Sequence, residues 1–190
     1  MSEAAPVASG LVLAAGAGTR FGGPKALARL PDGTPWVARA VQALTDADCR
    51  RVVVALGAAA VEARLLVPED AEIVEVPDWA EGLSATLRSG LRAASIEGTD
   101  AVAIVPVDTP AMPAAAVRRV LAAGTGGRAA VVQAVYRGVP GHPVLIGADH
   151  VEPLLATLSG DRGARAYLVA QGALEVECAD LWSGADIDTR

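Results

Sequence analysis

Two rhythms of apolar residues alternate along this chain. Residues 7–15 form an apolar run that ends in the glycine-rich stretch LAAGAGTRFGGPK, closing at Lys25, which reads as a strand running into a loop. After a turn at 31–33, Trp36, Val37, Ala40, Val41 and Leu44 return at helical spacing. Residues 51–56, RVVVAL, are too short for a helix and apolar throughout, as expected of a strand covered on both faces. Val61, Leu65 and Leu66 mark a helical segment before Pro68, and residues 72–76 alternate polar and apolar like a further strand. Leu83, Leu87, Leu91 and Ala94 then recur every three or four positions, with Arg88 and Arg92 on one solvated flank of the same helix. A second buried strand, AVAIVPV at 101–107, runs into Asp108-Thr109-Pro110. Val117, Val120 and Leu121 predict the next helix, residues 129–136 the next strand, and 144–146 a short apolar stretch after Gly141-His142-Pro143. Helical segments around 151–158 and 163–171 follow before the closing DIDTR.

Strands alternating with helices imply right-handed crossovers and an α/β fold, a Rossmann-like three-layer αβα sandwich around a mostly parallel sheet. Residues 129–146 leave no room for a crossover helix, so the sheet is expected to be mixed there. No repeat, low-complexity tract or long linker divides the sequence, and a single domain over 1–190 is expected. A composition of 52% hydrophobic against 20% charged residues suffices for a buried core and is too apolar for general disorder. The formal charge of −6 argues against a nucleic-acid binder working through a broad basic surface. It still admits an anionic small substrate, because a few placed cations and a metal reverse the local field. The opening MSEAAPVASG carries an acid and no basic run, unlike a secretory leader, and no apolar run of ~18 residues suggests a membrane span. The expectation is a cytoplasmic protein with neither nucleic acid nor membrane as partner. Cys49 and Cys178 lie far apart, match no metal-ligand spacing and read as small buried thiols.

The first loop carries the strongest chemical signal. Ligands of open α/β sheets sit beyond the carboxyl ends of the strands, and glycines there let backbone N–H groups approach an anion closely. Gly16, Gly18, Gly22 and Gly23 with Arg20 and Lys25 suit a triphosphate. A dinucleotide fingerprint would need glycine where Phe21 stands, and a Walker loop is broken by Gly23-Pro24-Lys25-Ala26. Asp108, just past a buried strand, faces the same sheet edge. It suits either Mg²⁺, which prefers one or two carboxylates plus phosphate oxygens, or a turn before Pro110. His142 suits either a turn cap or a substrate contact, and His150 reads as a surface residue near a helix start. Trp36, Trp79 and Trp182 read as core or rim packing, with Trp79 set apart by its nearness to the nucleotide end.

Taken together, LAAGAGTRFGGPKAL, PDWAEGLSATLRSGL from Pro77, PVDTP from Pro106, GHPVLI and LSGDRGAR between Gly141 and Arg165, and DIDT at the end resemble the MobA-like nucleotidyltransferases. The later segments are similar to molybdenum cofactor cytidylyltransferases, and the resemblance runs from Leu11 to Thr189. It implies transfer of CMP from CTP to a molybdopterin-type phosphorylated acceptor with release of pyrophosphate, using Mg²⁺. The alternatives are a guanylyl- or sugar-1-phosphate nucleotidyltransferase on the same fold, or a non-catalytic partner that delivers cofactor to a molybdoenzyme client. By the same resemblance, Arg20, Lys25 and Asp108 are catalytic, and Leu13, Ala14, Ala15, Gly16, Ala17, Gly18 and Thr19 line the nucleotide. Gly82, Ser84 and Thr86 help hold its base. Asp108 and Asp186, with Asp188 as second choice, hold the metal, and His142 and Asp161 face the acceptor. Ala14-Ala15-Gly16 follows the cytidylyl branch, where the guanylyl branch tends to read Ala-Gly-Gly.

Overall fold

The computed structural model describes residues 7–189, so the opening segment 1–6 of the leader argument and Arg190 lie outside the described residues. Seven strands form the central sheet: β1 (Ala8–Ala14), β2 (Val52–Leu56), β3 (Glu72–Glu75), β4 (Ala101–Pro106), β5 (Val131–Tyr136), β6 (Val139–Gly147) and β7 (Leu174–Glu177). Their spatial order is β3-β2-β1-β4-β6-β5-β7. The β1–β2, β1–β4, β2–β3 and β5–β7 pairs are parallel, and β6 runs antiparallel to both β4 and β5. The sheet is therefore mostly parallel with one reversed strand, and the mixed region falls where the short spacing predicts it.

Among the described residues six α-helices cover the two faces: α1 (Trp36–Thr45), α2 (Ala60–Arg64), α3 (Leu83–Ala94), α4 (Ala114–Ala123), α5 (Ala148–Thr157) and α6 (Arg165–Ala170). Alternate side chains of the inner strands feed two separate cores, as the pleat requires. Val12, Val54 and Val105 join Val37, Val41, Leu44, Val117 and Val120 of α1 and α4 on one face. Leu11, Val53, Val102 and Ile104 join Leu87 and Leu91 of α3, Leu154 of α5 and Leu168 of α6 on the other. Leu11, Leu44, Leu91 and Leu154 are fully buried, and truncating any one to alanine would cost about 2–5 kcal/mol.

Several local readings are corrected. The helix predicted from Val61 and Leu65 is present, but these two side chains are 80% and 84% exposed, and of its five residues the buried one is Ala63. A five-residue helix beside the sheet edge has too little length to present a full apolar face. Strand β6 is nine residues long, well beyond the apolar stretch at 144–146. It is joined to β5 by the two-residue turn Arg137-Gly138, whose φ values of 54° and 77° are the signature of a tight hairpin turn. Strand β7, whose LEVE has only half-exposed or exposed residues, had no apolar signal to announce it. Arg88 is not simply solvated: it donates to the Leu158 carbonyl and ties α3 to the chain before Asp161. His150 likewise bonds inward, Nδ1 to the Tyr167 hydroxyl at 2.7 Å and Nε2 to the Ala129 carbonyl at 3.2 Å. Cys49 and Cys178 are buried free thiols, and burial pushes Cys49 up to about 12.

Candidate active site

A cleft of about 600 Å³ opens beyond the carboxyl ends of β1 and β4, the place where open α/β sheets bind their ligands. Leu13, Ala14 and Ala15 at the end of β1 form its floor, continued by Gly16, Ala17, Gly18 and Thr19. The floor is pinned from both sides: Val107 N–H donates to the Leu13 carbonyl at 3.0 Å and Ala58 N–H to the Ala15 carbonyl at 2.9 Å. The loop then folds back at Gly18, whose carbonyl accepts the N–H groups of Gly22 and Gly23 at 3.0 and 3.1 Å. Gly18 has φ +59°, and a Cβ there would stand 2.0 Å from the Gly23 carbonyl oxygen, so only glycine closes this turn. Phe21 turns inward instead of lining the cleft, packing on Trp36 with ring centroids 5.1 Å apart.

Lys25 leaves the end of this loop and reaches across the cleft. Its Nζ donates to Asp108 Oδ2 and to Asp188 Oδ1, each at 2.9 Å. The three side chains are 14%, 21% and 58% exposed, so the pair with Asp108 is the better shielded of the two. Burial works against the Lys25 charge, yet the bonds to Asp188 and Asp108 outweigh it and raise its pKa above the ordinary lysine value. The same bond to Lys25, helped by Arg20, lowers the pKa of Asp188. Oxygens of Asp108, Asp186 and Asp188 lie within 4.8 Å of one another. Hard carboxylate oxygens, two of them exposed enough to leave room for water, are the donor set that Mg²⁺ takes. The Lys25 ammonium bridges two of the three. The residues fit the metal.

The other side of the cleft is formed by Trp79, Ala80, Gly82, Leu83 and Thr86 at the start of α3, by His142 and by Asp161. His142 is the fourth residue of β6, within a strand rather than capping a turn. Burial holds its imidazole below the ordinary pKa, against the pull of the Asp108 and Asp186 charges, so it is neutral near pH 7. Three expected residues stand apart from the cleft surface. Arg20 is exposed and acts at a distance through its charge on Asp188. Ser84 is 1% exposed, with its N–H donated to the Gly160 carbonyl, so it supports the α3 start from behind. Asp186 belongs to the carboxylate group, but it is Asp188, the second choice from sequence, that bonds Lys25. Trp79 lines the cleft, as its position near the nucleotide end suggested.

The sequence profile of the MobA-like NTP transferase domain matches residues 10–175. The chain belongs to this family. Among related proteins, a nicotine blue oxidoreductase of Paenarthrobacter nicotinovorans is 36% identical, covering 97% of this chain and 93% of the relative. A molybdenum cofactor guanylyltransferase of Burkholderia orbicola is 34% identical, covering 94% and 90%. Among solved structures, Rv0371c of Mycobacterium tuberculosis superposes with a TM-score of 0.82 at 26% identity, covering 98% of this chain and 94% of that one. The three-layer architecture of this MobA-like domain is thus shared with that structure over nearly its whole length. Sequence reasoning did not single out Tyr136 or Glu177, and read Trp182 only as core or rim packing; the three lie outside the cleft lining, with Tyr136 bonded to the His142 carbonyl and to Trp182. No local motif marks them, because their partners lie up to 46 residues away.

Proposed function

We propose that this MobA-like protein transfers a nucleoside monophosphate from a nucleoside triphosphate to a phosphorylated acceptor of the molybdopterin type. An acceptor phosphate oxygen bonds to the α-phosphorus, the α–β bridge breaks, and pyrophosphate leaves. The observation that carries the reading is the Lys25–Asp108–Asp188 group at the mouth of a glycine loop that cannot close with any other residue at Gly18. The loop main chain receives the phosphates, while Lys25 and Arg20 offset charge on the departing pyrophosphate. Asp108, Asp186 and Asp188 would hold Mg²⁺, which when bound supplies electrostatic polarisation of the phosphate oxygens. The acceptor phosphate, with a second pKa of about 6, is ionised near neutrality, so no strong general base is needed. Neutral His142 and the Asp161 carboxylate orient the acceptor from the far wall. Catalysis is then mostly positioning and charge stabilisation.

CTP is the preferred nucleotide in this reading, supported by Ala15 at the position where the guanylyl pattern tends to have glycine, in the stretch that lines the cleft. The relative named nicotine blue oxidoreductase favours a second reading, an oxidoreductase on this fold whose loop holds the diphosphate of a nucleotide cofactor. A thermal-shift series with Mg²⁺ and CTP, GTP, UTP, ATP, dTTP or NADPH separates them. A ligand at 100 times its dissociation constant adds roughly 2.7 kcal/mol. The largest shift is expected with CTP, followed by pyrophosphate release when molybdopterin is added. A larger shift with GTP makes the protein a guanylyltransferase, and a shift with NADPH alone overturns nucleotidyl transfer.

A further inference from the structure

Behind the far wall of the cleft lies a buried phenol, Tyr136, the last residue of β5. Its Oη–H donates to the His142 carbonyl at 2.6 Å, and its oxygen accepts the Trp182 Nε1–H at 2.6 Å. The two rings meet edge to face with centroids 5.4 Å apart. Burial pushes the phenol up to about 12, with the Trp182 bond working the other way, so the hydroxyl keeps its proton and the direction of both bonds is fixed at working pH. The chain after Trp182 bends around the same ring. Gly184 has φ +76°, and a Cβ there would stand 2.3 Å from Tyr136 Cγ. Three residues on, the Ile187 N–H donates to the Asp108 carbonyl at 3.0 Å, with Asp186 and Asp188 on either side of it. At the near end, the Glu177 carboxylate accepts the N–H groups of Arg137 and Gly138 in the hairpin turn and of Cys178 and Ala179 where the tail begins. The tail is thus fastened to the β5–β6 hairpin before it reaches Asp108.

We propose that Tyr136 is a positioning residue. Through one hydroxyl it sets His142 on the acceptor side and, through Trp182, the tail that carries Asp186 and Asp188 to Asp108. The inference rests on the reading of those carboxylates as the holders of a divalent cation. A tyrosine that merely filled space would lose nothing on becoming phenylalanine.

Mn²⁺, a paramagnetic substitute with the same preference for carboxylate oxygen, serves as the probe. Its binding to the purified protein is followed by loss of the free-ion resonance for wild type, Tyr136→Phe and Trp182→Phe. Groups that orient metal ligands typically change affinity by 10–100-fold. The expected result is a dissociation constant raised about tenfold in Tyr136→Phe and by less in Trp182→Phe, with the nucleotide KM at saturating metal unchanged. Equal Mn²⁺ affinity in all three proteins overturns the positioning role and leaves nucleotidyl transfer standing. A raised nucleotide KM at saturating metal also overturns it, because the damage is then general. Failure of the wild type to bind Mn²⁺ overturns the metal reading and this inference together. Should Tyr136→Phe melt too low to assay, Trp182→Phe decides, since it leaves an aromatic ring beside Tyr136 and removes the indole donor.

Discussion

The glycine-loop wall of the cleft is held by main chain, through the pinned carbonyls of Leu13 and Ala15 and the fold-back at Gly18. The facing wall and the carboxylate group have main-chain bonds too, but depend in addition on side chains, through Tyr136, Trp182, Glu177 and Lys25. The difference is one of tolerance. Most side chains of the first wall can change while Gly18 cannot, and in the second wall individual polar atoms are the points of failure.

The sharpest way to break this contrast is at Lys25 and Asp108, where the walls meet. Lys25→Ala and Asp108→Ala should each lower turnover by ~10²–10³ while remaining folded, because the first removes a cation at the phosphates and the second a carboxylate that would hold the metal. Steady-state rates with circular dichroism check this, and near-normal turnover in either variant sinks the catalytic assignment. Next comes a pair of glycines in one loop. Gly18→Ala forces a left-handed conformation on alanine as well as a clash with Gly23, and should cost at least ~1–3 kcal/mol. Gly16→Ala meets nothing within 4 Å and should stay within about 0.5 kcal/mol of wild type in a denaturant melt. Equal costs for the two would refute the main-chain account.

Acid should loosen the second wall before the first. Asp188 and Glu177 both titrate below the ordinary carboxylate range, Asp188 through Lys25 and Glu177 through the N–H groups of Ala179, Arg137, Gly138 and Cys178. A lowered folded pKa contributes stability that is complete above the unfolded value of about 4 and disappears as pH falls through the folded value. Trp182 fluorescence should therefore change below about pH 4, and Asp188→Asn should flatten that limb; an unchanged limb argues against the link. Lys25 behaves oppositely, its contribution being present at neutral pH and lost only as strong alkali titrates the ammonium. The smallest effect is expected behind the loop. The Trp36 Nε1–H is buried with no hydrogen-bond partner among the described residues. Trp36→Phe relieves that orphaned donor and should cost less than about 1.5 kcal/mol, against about 3–5 for Trp36→Ala. Chemical denaturation of the two variants gives the comparison directly.

The first wall was legible in the sequence because its determinants are local. Strand β1, the glycine run and Lys25 occupy one stretch of eighteen residues, 8–25, and β2 and β4 announce themselves as unbroken apolar runs. The second wall was legible only in fragments. DIDT drew attention to the tail, yet choosing between Asp186 and Asp188 needs the path of the chain around Tyr136, which no periodicity records. Strand β7 escaped for a related reason. Its alternation is too short and too exposed to separate from a loop, and its place is fixed by pairing with β5 some forty positions earlier.

The reversed strand β6 carries one more consequence. In a wholly parallel sheet, each loop reaching the ligand edge is tied to a crossover helix, so remodelling one disturbs a packed layer. Here the Arg137-Gly138 turn lies at the ligand edge and hands the chain straight back into the sheet, with His142 four residues after Gly138. In the proposed reading, the His142 contact to the acceptor thus sits next to a tight hairpin turn, while the nucleotide loop continues directly from the inner strand β1. Residues added at that two-residue turn would enter the ligand edge without disturbing a crossover helix or the glycine loop that ends at Lys25.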